Sequence, residues 1–194
     1  MRHLALLTFL TVDGVMQGPS SPEEDRSDGF DRGGWAAPYW EGAMKQVQAV
    51  AMNTPYDMLF GRKTYEMFAS HWPDAGNDPV AEMLNAARKY VVSRSDPKLP
   101  WGPAEVVTGD LTKAVTALKS QDGALLQVHG SGVLCQGLLA AELVDELRLC
   151  TFPVTVGAGR KLFSGPVPQQ HWRMTASETN AEGVNMTILK KRQG

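Results

Sequence analysis

The chain has 194 residues, 43% of them hydrophobic and 21% charged, with a formal net charge of -2. That length suits one α/β domain with a sizeable core and is short for two. So balanced a charge gives no reason to expect nucleic acid or an acidic membrane surface as a partner, and no apolar run approaches the roughly 20 residues of a membrane span.

In chain order, His3 to Leu10 reads as a first strand rather than a secretory signal, because the apolar stretch is too short and lacks a cleavage site. It runs into Thr11-Val12-Asp13-Gly14, placing Asp13 at a strand's carboxyl end, the edge where open α/β sheets bind ligands. Asp13-Gly14 also reads as a plain turn. Residues 17–38 lose periodicity and form a long irregular loop ending at Trp35, Tyr39 and Trp40, which either wall a planar ligand or anchor the loop on the core. A helix follows from Glu41 to about Met52, with Met44, Val47, Val50 and Ala51 on one face.

Tyr56 to Phe60 is a short strand that breaks at Gly61-Arg62-Lys63-Thr64. Tyr65, Phe68, Ala69 and Trp72 then keep helical spacing until Pro73 stops the helix. Thr64 caps that helix, or Arg62, Lys63 and Thr64 surround a phosphate. The order of residues is not that of a Walker loop. A helix near 79–87 leads to the strand Lys89–Val92, which ends in Ser93-Arg94-Ser95. Arg94 there is either a solvated loop residue or the holder of a phosphate monoester. A strand at Glu105–Thr108 precedes a helix capped at Asp110, with Leu111, Val115 and Leu118 inward.

Leu125–Val128 is again strand-like. It turns through Gly130-Ser131-Gly132 and resumes at Val133 with helical spacing. Strand, glycine turn and helix in this order place free backbone N–H groups and a positive dipole end at the sheet's carboxyl edge, a setting for phosphate. Many such turns bind nothing, but three phosphate-friendly junctions should lie along one edge. Gly61–Thr64 with Gly130–Val133 suit a pyrophosphate, and Ser93–Ser95 an additional monoester. Val144 to Pro153 is a strand with Leu147, Leu149 and Thr151 alternating. Two alternating runs, 172–177 and 184–189, form a closing hairpin around Asn180-Ala181-Glu182-Gly183. The expected architecture is α/β, a mixed and mostly parallel sheet with an antiparallel C-terminal hairpin and helices on both faces.

The sequence offers no nucleophile elbow, because His129 and Val133 stand where glycines are needed around Ser131. His129 reads as a strand-end residue. His3, His71, His129 and His171 have no metal-ligand spacing, and no metal is expected. Cys135 and Cys150 both fall in apolar patterns and read as buried free thiols in a reducing compartment, so a cytoplasmic location is expected.

Together these pieces resemble the dihydrofolate-reductase-like family, in the branch similar to the reductase domain of riboflavin-biosynthesis proteins. The resemblance rests on Thr11-Val12-Asp13-Gly14, Gly61 through Glu66, Val92-Ser93-Arg94, Val128 through Gly132, Val144 through Leu147, and Pro153 through Phe163. These occur in family order along almost the whole chain, as one domain. The resemblance implies NADPH as cofactor, hydride transfer as chemistry, a small-molecule substrate and commonly a homodimer. Carried over, Gly130, Ser131, Gly132 and Val133 match the pyrophosphate turn, and Gly61, Arg62, Lys63 and Thr64 the second phosphate-contacting helix start. Ser93 and Arg94 match the 2′-phosphate clamp, and Asp13 the acidic residue beside nicotinamide and substrate, the catalytic candidate that would orient a substrate N–H or relay a proton. Glu41 lies near the position of a substrate-engaging carboxylate, next to Trp40 on the substrate side. The zinc residues of a deaminase half are absent, and the 17–38 loop has no clear counterpart. The function this implies is reduction of a pterin- or pyrimidine-like heterocycle; a non-catalytic NADP-binding sensor on the same fold is the alternative.

Overall fold

The computed structural model describes residues 1–76 and 78–192. In chain order the elements are β1 (Leu4–Thr11), α1 (Trp40–Ala51), β2 (Tyr56–Gly61), α2 (Arg62–Ala69), α3 (Pro79–Ala86), β3 (Lys89–Val92), β4 (Ala104–Val107), α4 (Leu111–Ser120), β5 (Leu125–Val128), α5 (Gly132–Ala140), β6 (Glu146–Phe152), β7 (Trp172–Thr179) and β8 (Asn185–Lys191). The eight strands form one sheet in the order β4-β3-β2-β5-β1-β6-β8-β7. The first six lie parallel to one another, and β8 alone runs against them, pairing antiparallel with β6 and with β7.

The strand sequences follow from this placement. Parallel strands joined by helical crossovers are covered on both faces and so read as near-continuous apolar runs. In β1 every residue but Phe9 is buried. One face packs Leu7, Met58, Phe60 and Phe152 against α1 and the loop before it, and the other packs Leu4, Leu6, Leu126 and Val128 against α4 and α5. The same double cover changes the reading of β6. Leu147 is buried as the alternation predicts, but so are Glu146 and Arg148 on the opposite face.

Two local expectations are corrected. The helix after Gly61 ends at Ala69, with the Ser70 N–H closing on Glu66 and Phe68 carbonyls, and Pro73 sits inside a separate short 3-10 turn, Trp72–Asp74. Segment 17–38 is irregular but packed. Phe30, Trp35 and Ala36 are buried, and the Trp35 indole donates to the Gln17 carbonyl at 2.8 Å. Arg160 ties the loop from below through Asp25, Asp28 and Ser27. Trp35 thus anchors the loop, the second of its two readings.

The closing hairpin turns where expected. The Asn180 side chain accepts from the N–H groups of Glu182 and Val184, and Gly183 takes φ +84°. Cys135 and Cys150 are buried and unpaired, and burial pushes both thiols up to about 12, so neither is a nucleophile at neutral pH. No helix of the described residues is long and apolar enough to cross a membrane.

Candidate functional site

Registry places three of the predicted junctions on neighbouring strands. β3, β2 and β5 are adjacent, with Gly61 opposite Val92 and Leu59 opposite Val128. The turns at Ser93-Arg94, Gly61–Thr64 and Gly130–Val133 therefore stand side by side at the carboxyl edge. At about 4.8 Å per strand, the outer two lie roughly 10 Å apart.

The inner two junctions touch. The Gly61 N–H donates to the Gly130 carbonyl at 3.0 Å, across a Gly130–Ser131 peptide that is cis. A Cβ on Gly61 would lie 3.1 Å from both Cβ and N of Ser131, and closer still to its Oγ. Gly130 has φ +123°, and a Cβ there would meet the Thr64 hydroxyl at 3.2 Å. These glycines are present because two backbones approach each other closely.

Neither adjoining helix has a side-chain cap. α2 starts directly from Gly61 and α5 from Ser131, each without a side-chain bond to its first turn, whereas α3 and α4 are capped by Asp78 and Asp110. Thr64 is thus not the cap of α2; it lies in the first turn, facing Gly130. Two uncapped N-termini converging at one glycine-lined edge leave amide donors and two positive dipole ends for an anion. Lys63 and Arg94 are exposed with no carboxylate within 4 Å among the described residues, while Arg62 pairs with Glu66 at 2.8 Å. Val133 is 70% exposed at the mouth, and Met16 packs over Gly132.

Asp13 follows β1 at the same edge. Its carboxylate accepts from the Thr11 hydroxyl at 2.6 Å and from the N–H groups of Val156 and Gly157 at 3.1 and 2.8 Å. Those bonds, the Thr11 hydroxyl first, hold its carboxyl down at about 2. It is ionised at neutral pH and tethers the 153–163 segment to β1. Asp13→Asn brings an NH2 against two N–H donors, and limited proteolysis is expected to cut residues 153–163 several-fold faster. An unchanged cleavage rate would remove the tether.

On this face two helices stand over different strands, and the strip of sheet left between them is the groove. α1 leans on β6 and β8, and α2 on β2 and β3, so the carboxyl halves of β1 and β5 lie between the two helices. Trp40 borders this groove, its ring edge-on to Phe9 at 5.6 Å. Glu41 is not brought to it: its side chain is 83% exposed and pairs with Lys45 at 2.6 Å. The helix begins at Trp40, which starts the stripe of Ala43, Val47 and Ala51 and reaches Phe9 while staying 38% exposed, and the next residue is rotated by about 100° toward solvent.

Sequence reasoning missed what lines the groove floor. Gln127 of β5 and His129, the residue after that strand, share the face of Glu146 and Arg148 of β6, and Gln127, Glu146 and Arg148 are all under a tenth exposed. Their signal was available as polar residues at alternating positions of otherwise apolar strands. Recesses beside Phe163 and Trp172 and between α1 and the β7–β8 turn lie away from this edge. Lys89, which burial lowers to about 8, belongs to the opposite edge, where two carbonyls satisfy it.

A mostly parallel sheet with one reversed strand near its end, glycine-lined at the edge of β2 and β5, defines a dihydrofolate-reductase-like fold. The family model named RibD C-terminal domain matches residues 2–186, and the chain belongs to that family. The uncharacterized protein YyaP of Bacillus subtilis (strain 168) is 27% identical over 132 residues, 66% of this chain and 69% of that protein. A Shewanella sp. PV-4 structure, provisionally named as a riboflavin biosynthesis protein, superposes with a TM-score of 0.65 at 18% identity over 100% of both chains. Dihydrofolate reductase from Enterococcus faecalis, complexed with NADP(H) and RAB-propyl, gives 0.62 at 13% identity over 98% of this chain and 97% of that one.

Proposed function

We propose that this protein is an NADPH-dependent reductase that transfers hydride to a small planar heterocycle, pterin-like or pyrimidine-like. The observation that carries the reading is the contact of Gly61 with Gly130-Ser131 between two uncapped helix starts. A side chain at either glycine would press on the facing turn and carry the first-turn amides of α2 and α5 out of line, so the residues present fit a dinucleotide. The Enterococcus faecalis reductase of the same fold is complexed with NADP(H), which adds support.

In this reading the first-turn N–H groups of α2 and α5 hold the pyrophosphate, with Lys63, Arg62 and Thr64 on one side and Val133 against the sugar. Ser93 and Arg94 hold the 2′-phosphate. Bound there, NADPH supplies the hydride. Trp40 and Phe9 confine the substrate ring and exclude water, which fixes the reacting faces. Asp13 acts as a fixed anion that keeps the 11–16 and 153–163 segments in register rather than as an acid, since a carboxyl held at about 2 has no proton to give at neutral pH. A homodimer and a cytoplasmic location belong to the same proposal.

Calorimetric titration with NADPH and NADH tests the cofactor half. NADPH is expected to bind at least tenfold more tightly, and Arg94→Ala to erase that difference while leaving NADH unchanged, because a charge-assisted bond to phosphate contributes about 1.5–3 kcal/mol. Equal binding of the two cofactors to the wild type would overturn the monoester site. Substrate-dependent NADPH oxidation across pterins and pyrimidines tests the reductase half. The non-catalytic alternative draws on the commitment of Asp13 to its tether, and cofactor binding without oxidation across that panel would favour it.

A further inference from the structure

The groove floor holds a chain of polar side chains whose hydrogen-bond directions are mutually forced. Arg148 donates through Nε to Glu146 Oε1 at 2.6 Å, and through one terminal nitrogen to Gln127 Oε1, also at 2.6 Å, and to the Ala51 carbonyl. A guanidinium only donates, so the amide of Gln127 must present its oxygen to Arg148. Its NH2 then faces the imidazole of His129, 3.1 Å from Nε2. An NH2 also only donates, so Nε2 must accept and carries no proton. The single proton of the ring is left on Nδ1. Burial first, then the charge of Arg148, lowers this imidazole to about 4, so it stays neutral across the physiological range.

The position of that donor gives it a use. His129 is the last residue before Gly130, on the face of the sheet between α1 and α2, ringed by Tyr56, Phe60 and Phe68 at centroid distances of 5.8 to 6.0 Å. It is nevertheless partly open to solvent, and among the described residues nothing accepts from Nδ1. Tyr56 is 4% exposed, and its hydroxyl, which has no hydrogen-bond partner among the described residues, lies close to Gln127 and Arg148 in the same cluster. A strand-end histidine serving only as packing would have no need of a buried ion pair that fixes its tautomer.

We propose that His129 is a substrate-binding residue whose proton is locked on Nδ1 by Glu146, Arg148 and Gln127, and that it donates this proton's hydrogen bond to a carbonyl or ring-nitrogen acceptor of the planar heterocycle. The ligand half rests on the reductase reading above, whereas the tautomer half stands without it. Gln127 and Arg148 are positioning residues: they act through the imidazole and need not touch the ligand. The consequence is a substrate preference. Heterocycles with an acceptor on the edge that faces β5 are retained, and analogues with C–H there leave a desolvated donor unpaired and are rejected.

Long-range proton–nitrogen spectra of the full chain, labelled at histidine, read the tautomer directly. His129 is expected to show a protonated Nδ1 and an unprotonated Nε2 at neutral pH. Gln127→Glu puts an acceptor-only group opposite Nε2, and the proton is expected to appear there. A proton on Nε2 in the wild type, or no change in Gln127→Glu, would overturn the lock. For the ligand half, pterin and then 5,6-dihydrouracil are titrated into protein saturated with NADP+. One of the two is expected to shift the Nδ1–H resonance and to bind at least tenfold more weakly to His129→Phe, with NADP+ titrating alike in both proteins. If neither compound moves that resonance while NADP+ binds, the assigned ligand class is wrong. If NADP+ itself does not bind, the reductase reading and the ligand half fall together, and the tautomer result is unaffected.

Discussion

Arg148→Met is expected to cost about 3–5 kcal/mol of folding stability at neutral pH, the range found when one partner of a buried ion pair is removed. Glu146 is 4% exposed and would lose its short bond to Arg148, keeping among the described residues the longer approaches of His3 at 3.5 Å and Lys190 at 3.8 Å. Gln127 Oε1 and the Ala51 carbonyl at the end of α1 would lose their donor in the same step. Urea unfolding of both proteins measures the loss. The double variant Glu146→Leu/Arg148→Met is expected to regain most of it, because a packed apolar pair replaces the ions without leaving a charge behind. The pH dependence follows from Glu146. Burial alone would raise its carboxyl, but bonds from His3 and Arg148 and the charge of Arg148 outweigh this and hold it at about 2, against 4.5 when free. Its contribution in the wild type is therefore fully present above pH 4.5 and is lost as pH falls toward 2. Without Arg148 the carboxyl rises instead, and the variant recovers as it protonates, so the gap between the two proteins should narrow on acidification. A gap independent of pH, or below about 1 kcal/mol, would mean that the pair is solvated and does not hold the groove floor.

The contrast between what could and could not be read from the chain is physical. Strand, glycine and helix junctions are local: Gly61-Arg62, Ser93-Arg94 and Gly130–Val133 announce themselves within a few residues, and adjacency of β3, β2 and β5 then brings them together without further information. The reversed β8 was equally visible, because Asn180 through Gly183 allows only a hairpin between two alternating runs. The groove floor depends instead on which face of β6 is covered. Leu147 and Leu149 suggest one buried face, and nothing near them states that α1 also covers Glu146 and Arg148. The loop at 17–38 failed to show its packing for a related reason. Its anchors are single residues, Phe30 and Trp35, whose partners Gly159, Phe152 and Gln17 are distant in sequence or on the loop's far end. Glu41 turns to solvent because Ala43, Val47 and Ala51 take the sheet-facing stripe of α1, and that choice is made by packing partners distant in sequence. His129 looked inert because its meaning resides in Gln127 and Arg148, residues that a motif search passes over.

Gly61→Val is expected to weaken NADPH binding by about a hundredfold, and Gly61→Ala by about tenfold, with the fold retained in both. The added Cβ meets Ser131 at its N and Cβ, 3.1 Å from each, as well as at its hydroxyl. Rotation of Ser131 moves only the hydroxyl, so the turn itself must shift away from β2. Overpacking of this kind costs about 1–3 kcal/mol, and each 1.4 kcal/mol is a factor of ten in affinity when the strain falls on the bound geometry. The Gly61 N–H to Gly130 carbonyl bond, 3.0 Å, opposes that shift and makes the two turns move as one unit. Because α2 and α5 both start there, a displacement at Gly61 misaligns two sets of first-turn amides at once. That is why the effect on the cofactor should exceed that of Arg94→Ala, which removes one contact at the far end. Calorimetry with NADPH, alongside thermal unfolding of the ligand-free protein, separates the two costs. The expected pattern is a modest drop in unfolding temperature with a large drop in affinity for both NADPH and NADH, since the pyrophosphate is common to the two. A Gly61→Val protein that binds NADPH like the wild type would show that the edge between β2 and β5 is merely a tight turn.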